Sequence, residues 1–120
     1  MPIIKLKKSI IPSCDVDSLE KLSKLVKATC SVKGVGAYKI GFELVIPFGM
    51  AKVVKTIRKI TKLPIIYDHQ KAGTDIPDTG EKFMKACKNV DAVILFPQAG
   101  PETEIAWIKA AQQAKMNVII

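Results

Sequence analysis

Pro64-Ile65-Ile66-Tyr67-Asp68-His69-Gln70-Lys71-Ala72-Gly73-Thr74-Asp75-Ile76-Pro77-Asp78-Thr79 changes character twice along its length. It opens as a short apolar run, turns polar and charged, and closes on a Pro-Asp-Thr sequence of the kind that starts a helix. An apolar run without polar alternation suits a strand buried on both faces, as in a parallel sheet. Comparable runs lie on either side: Ser9–Ser13, Ala37–Gly41, Ala92–Phe96 and Asn117–Ile120. Their midpoints are roughly 25 to 28 residues apart, the size of one strand plus one helix.

Between the runs the period becomes helical. Asp17-Ser18-Leu19-Glu20 reads as an N-cap with a carboxylate three residues on, ahead of Leu19, Leu22, Leu25 and Val26. A second helix is expected over Met50–Thr61, with Val53, Val54, Ile57 and Ile60 inward. A third starts near Asp78 and buries Phe83, Met84 and Cys87. A fourth follows Gly100-Pro101, with Ile105, Ile108, Ala111 and Ala114 inward and Glu102 and Glu104 at its positive end. The chain thus reads β-α-β-α-β-α-β-α-β, an α/β fold with a parallel sheet and right-handed crossovers.

An open doubly wound sheet and a (βα)8 barrel both have this pattern. The open sheet often carries a glycine-rich phosphate loop after its first strand, where this chain has Cys14-Asp15-Val16-Asp17. Asp15, Lys39, Asp68, Lys71 and Asp75 gather instead where strands end, which is where barrel enzymes hold their chemistry, so a barrel is preferred. Residues 1–120 form one α/β domain in this reading. The chain ends inside the fifth run, and a complete barrel needs ~200 residues or more. The expectation is therefore the N-terminal half of a barrel, about four βα units plus a fifth strand, whose two open edges favour a homodimer or higher oligomer.

The 120 residues are 48% hydrophobic and 25% charged, which is incompatible with a disordered chain. No uncharged stretch approaches the ~18 to 20 residues of a spanning helix and the N-terminus has no signal-peptide pattern, so a cytoplasmic protein without membrane contact is expected. Cys14, Cys30 and Cys87 form no CxxC pair and His69 is the sole histidine, so neither a disulfide framework nor a metal site is expected. The formal charge of +8 comes almost wholly from lysines at helical spacing, with Arg58 the one arginine. That pattern fits solvated helix faces and a field steering an anionic small molecule better than a nucleic-acid interface.

Asp68, Lys71 and Asp75 place two carboxylates and an ammonium within eight residues, and Gly73 lets the backbone fold them together. Lys39, on the neighbouring strand, can reach Asp68. Spacing alone fits equally a charged site and a loop of surface ion pairs capped by Asp78. His69 reads as a supporting loop residue, and Tyr67 and Trp107 as packing residues.

The stretch resembles the Asp-x-Lys-x-x-Asp-Ile motif of orotidine 5'-phosphate decarboxylases and their suprafamily. Cys14-Asp15-Val16 is similar to that family's Leu-Asp-Val. Tyr38-Lys39-Ile40-Gly41-Phe42-Glu43-Leu44 is similar to its Lys-Val-Gly segment, and Asp75-Ile76-Pro77-Asp78-Thr79 to Asp-Ile-Pro-Asn-Thr. Both intervals of the Asp/Lys/Asp motif are one residue longer here. In an extended segment one added residue reverses a side chain, so a bulge near Gly73 is needed to keep Lys71 aimed.

The resemblance implies metal-free, cofactor-free decarboxylation of orotidine 5'-monophosphate (OMP) to uridine 5'-monophosphate (UMP) in pyrimidine biosynthesis. It implies Lys39, Asp68, Lys71 and Asp75 as the catalytic network. Asp15 is implied as a ribose ligand, and Ile76 and Thr79 as substrate-binding residues acting with Asp75 across a dimer. Two alternatives stay open: a magnesium-dependent sugar-phosphate lyase of the same suprafamily, and a non-catalytic paralogue or association module. The 120-residue chain by itself is expected to be a weak catalyst or none, because the family holds its phosphate on later strands.

Overall fold

The computed structural model describes residues 2–69 and 76–120. Its elements follow in the order α1 (Leu19–Thr29), β1 (Tyr38–Ile40), α2 (Phe42–Phe48), α3 (Met50–Arg58), β2 (Ile65–Tyr67), α4 (Gly80–Ala86), β3 (Ala92–Ile94), α5 (Pro101–Gln113) and β4 (Asn117–Ile119). Two 3-10 turns, Pro77–Thr79 and Pro97–Ala99, lead into α4 and α5. The strands form one parallel sheet in the order β1-β2-β3-β4.

Two features distinguish this sheet from a doubly wound one. The strands follow sequence order, without the reversal that opens a doubly wound sheet. The helices also all serve one face. Tyr38, Ile40, Ile65, Tyr67, Val93 and Leu95 pack there with Leu22 and Val26 of α1, Val53 and Ile57 of α3, Met84 of α4 and Trp107 of α5. The opposite face carries Ala37, Ile66 and Ala92, joined among the described residues by no helix residue. Sequential parallel strands with helices on one side are the wall of a TIM-type barrel.

The expected strand Ser9–Ser13 is reduced to two parallel bridges, Ile10 with Val35 and Ser13 with Lys39. Three steps along the first segment oppose four along the second, so the pairing carries a one-residue bulge. Pro12 lies inside it, able to accept from the Lys39 amide (3.0 Å) but without an N–H to donate.

Three helix details also differ from expectation. Ser18, not Asp17, caps α1 by accepting from the Lys21 amide, while Asp17 pairs with the Lys21 ammonium at 2.8 Å. Helix α2 was not expected. Phe42, Leu44, Val45, Ile46 and Phe48 make it apolar all round, so it shows no period, and it contains Pro47 before ending at Gly49, whose φ is 79°. In α5, Ile105 faces solvent and Ala114 is exposed, whereas Thr103, Trp107, Ala110 and Ala111 are buried. The large indole takes the inner position because Gly80 has no side chain: a Cβ there would lie 3.0 Å from Trp107 Cδ1.

The foot of the sheet is held by Asp91. Its Oδ2 accepts from the Ile65 amide at 2.7 Å and from the Arg58 guanidinium at 2.5 Å, and Arg58 also donates to the Leu63 carbonyl. Asp91→Ala leaves an amide and a guanidinium without their acceptor, so unfolding in urea should show a loss of about 1 to 3 kcal/mol. A second expectation concerns alkali. Burial raises the Cys14 and Cys87 thiols from 9.0 to about 12. Because the folded values lie above the unfolded one, their contribution is complete below pH 9 and is lost as pH rises toward 12. The melting temperature should fall across that window, and fall less in Cys14→Ala/Cys87→Ala.

Candidate active site

Alternation along two neighbouring strands builds the centre of the site. Tyr38 and Ile40 point to the helices, which turns Lys39 to the other face. Ile65 and Tyr67 do the same on β2, which turns Ile66 and Asp68 with Lys39. The register pairs Lys39 with Ile66, so Asp68 stands two residues further toward the strand ends. Its amide donates to the Ile40 carbonyl at 3.0 Å, continuing the ladder just beyond the end of β2.

The result is an ion pair, Lys39 Nζ to Asp68 Oδ2 at 3.0 Å, with side chains 21% and 12% exposed. Such shelter strengthens a charge-assisted hydrogen bond relative to one in bulk water. Lys39 is braced on its other edge as well: its amide donates to Pro12 and its carbonyl accepts from the Cys14 amide at 2.8 Å. Asp15 follows at the same end of the sheet. The Cys14 thiol stands at about 12, raised chiefly by burial and further by the Asp15 charge, and lowered by that of Lys39.

Ile76 and Thr79 stand at the turn into α4. The Ile76 carbonyl accepts from Trp107 Nε1 at 2.9 Å and from the Thr79 hydroxyl at 2.9 Å, while the Ile76 side chain is 54% exposed. Lys71 and Asp75 lie outside the described residues. So the structure brings Lys39 and Asp68 into contact, sets Asp15 nearby, and places Ile76 and Thr79 at the helix entry. Among the described residues no cluster of three His, Cys, Asp or Glu is placed to hold a metal ion.

Sequence reading did not anticipate an aromatic cluster on the helix side of the same strand end. Tyr67 and Phe83 stack at 6.0 Å, His69 meets Phe83 edge-on at 5.6 Å, and Phe83 lies 4.7 Å from Trp107. Tyr67 Oη is 2.6 Å from His69 Nδ1. Burial pushes the Tyr67 hydroxyl up to about 12, so it keeps its proton near neutral pH, and which of the two atoms donates depends on the imidazole tautomer. The two-residue spacing of Tyr67 and His69 was the available signal, since it sets both on one face of an extended chain. Trp107→Phe keeps the ring contacts but removes the bond to Ile76, and should cost about 1 kcal/mol in urea unfolding. Trp107→Ala, which also empties the cluster, should cost about 3 kcal/mol or more.

A sequence profile described as "Orotidine 5'-phosphate decarboxylase / HUMPS family" matches residues 8–120. No curated protein sequence matches the chain. Among solved structures, orotidine 5'-monophosphate decarboxylase from Methanocaldococcus jannaschii superposes with a TM-score of 0.80 at 28% identity, over 92% of this chain and 52% of that one. The same enzyme complexed with inhibitor BMP gives 0.82 at 28% identity, over 92% and 50%. Orotidine 5'-phosphate decarboxylase from Pyrococcus horikoshii OT3, with a TM-score of 0.70 at 22% identity over 84% and 48%, supports the fold alone. The chain spans about half the length of these solved relatives.

Proposed function

The chain belongs to the orotidine 5'-phosphate decarboxylase / HUMPS family, and we propose that it supplies the lysine–carboxylate part of a site that decarboxylates OMP to UMP. The observation that carries this reading is the sheltered Lys39–Asp68 pair at the strand ends of a barrel-type sheet. In this reading Asp68, paired with Lys39, stands against the substrate carboxylate. Repulsion there is relieved as the bond from ring carbon to carboxylate breaks and carbon dioxide leaves. The electron pair stays on the ring carbon as a vinyl carbanion.

The Lys71 ammonium offsets that charge and then delivers its proton to the same carbon. A charge already fixed in a dry site needs no reorganisation as the carbanion forms. Lys39 and Asp15 hold the ribose. Asp75, Ile76 and Thr79 complete the site of a partner subunit, making a homodimer the working form. The excess of lysines draws in the anionic substrate. The M. jannaschii enzyme complexed with inhibitor BMP supports a nucleotide-type ligand for this fold.

In this reading the phosphate grip belongs to the half of the solved relatives that this chain does not cover, so the 120-residue chain alone should turn over OMP slowly or not at all, followed by loss of substrate absorbance. UMP should still shift the amide NMR signals of Lys39 and Asp68, and Lys39→Met should weaken that response by about tenfold. Rapid turnover by the chain alone would overturn the assignment of phosphate binding to later strands. A folded chain whose Lys39 and Asp68 signals ignore UMP would overturn the nucleotide reading.

A further inference from the structure

The helix-free face of the sheet is not bare at its foot. Ala37 and Ala92 are 0% exposed and Ile66 is 2% exposed, although among the described residues no helix packs over them. Among the described residues, the cover that comes from outside the sheet is Ile3 and Ile4, which pack there with Ile94 and Ile119. Ala92 stands across from Ile66 in β3, and Ala37 lies just before β1, two residues below Lys39, the register partner of Ile66; both alanines have short side chains. Two β-branched side chains from the N-terminal segment pack against this layer.

Gly36 gives an independent sign of close approach. A Cβ at that position would lie 2.8 Å from Ile4 Cγ2 and 2.8 Å from Ser9 Cβ, nearer than real side chains stand. The Gly36 amide donates to the Ile10 carbonyl at 3.0 Å, which ties the first segment down beside the contact. The family profile begins only at residue 8, so the covering segment lies ahead of the family's pattern.

We infer that residues 2–7 are a built-in plug: Ile3 and Ile4 seal the foot of the sheet's inner face and form an apolar floor beneath the Lys39–Asp68 pair. Asp68 stands two residues above Ile66 on that face, so the plug keeps water from reaching the charge pair from below. The inference rests on packing and is independent of the reaction assigned to the pair.

Thiol labelling at position 92 tests it, with each cysteine resolved by mass. In the full chain Ala92→Cys should label about 100-fold more slowly than an exposed thiol. Deleting residues 2–7 should speed it about tenfold or more while buried Cys87 stays slow. An unchanged rate at position 92 in the shortened chain, with Cys87 still slow, would overturn the plug. Light scattering would then show whether a second copy is the cover.

If the shortened chain unfolds, shown by fast labelling of Cys87, Gly36→Ala in the full chain decides. The added methyl should push Ile4 away and raise labelling at position 92 with Cys87 still protected. No change there would likewise overturn the plug.

Discussion

The hydrogen bond from the Asp68 amide to the Ile40 carbonyl carries the register of β1 and β2 to the point where the chemistry begins. Strand faces alternate with period two, so a slip of one residue would turn Asp68 toward the helices and bring the Tyr67 ring to the open face. The apolar side sets the register. Tyr38, Ile40, Ile65 and Tyr67 are 4% exposed or less, and exposing that set would forfeit the packing of β1 and β2 against the helices. The Lys39–Asp68 pair is positioned as a consequence of hydrophobic burial on the other side of the sheet.

The same division organises the rest of the molecule. One face holds the helices and an aromatic cluster that runs from the end of β2 to α5, where Trp107 grips the Ile76 carbonyl. On the other face Ile3 and Ile4 pack against Ala37, Ile66 and Ala92, with Lys39 level with Ile66 and Asp68 two residues beyond it. Asp68 thus stands in a charged pair on one face, and the Ile76 carbonyl is anchored on the other.

Much of this was legible because two periodicities are strong. The apolar runs at Tyr38–Ile40, Ile65–Tyr67 and Ala92–Ile94 could be read as strands, and the spacing of Leu22 with Val26 and of Val53 with Ile57 gave the inner faces of α1 and α3. Reading failed where period carries no information. Helix α2 is apolar on all sides, and the first segment pairs by two bridges around a proline. Helix α5 presents two candidate apolar faces, and the fit of Trp107 over Gly80 chose between them, a contact between residues 27 positions apart.

By itself the sequence determined the alternation of strand and helix, the parallel sheet and the identity of the charged residues at the strand ends, because local periodicity and residue chemistry are properties of the chain. Tertiary structure decided that the helices share one face, that Lys39 reaches Asp68 across neighbouring strands, and that Ile3 and Ile4 close the other face from below. Those outcomes depend on which distant segments share a layer, and that follows from the fit of volumes such as Trp107 against Gly80.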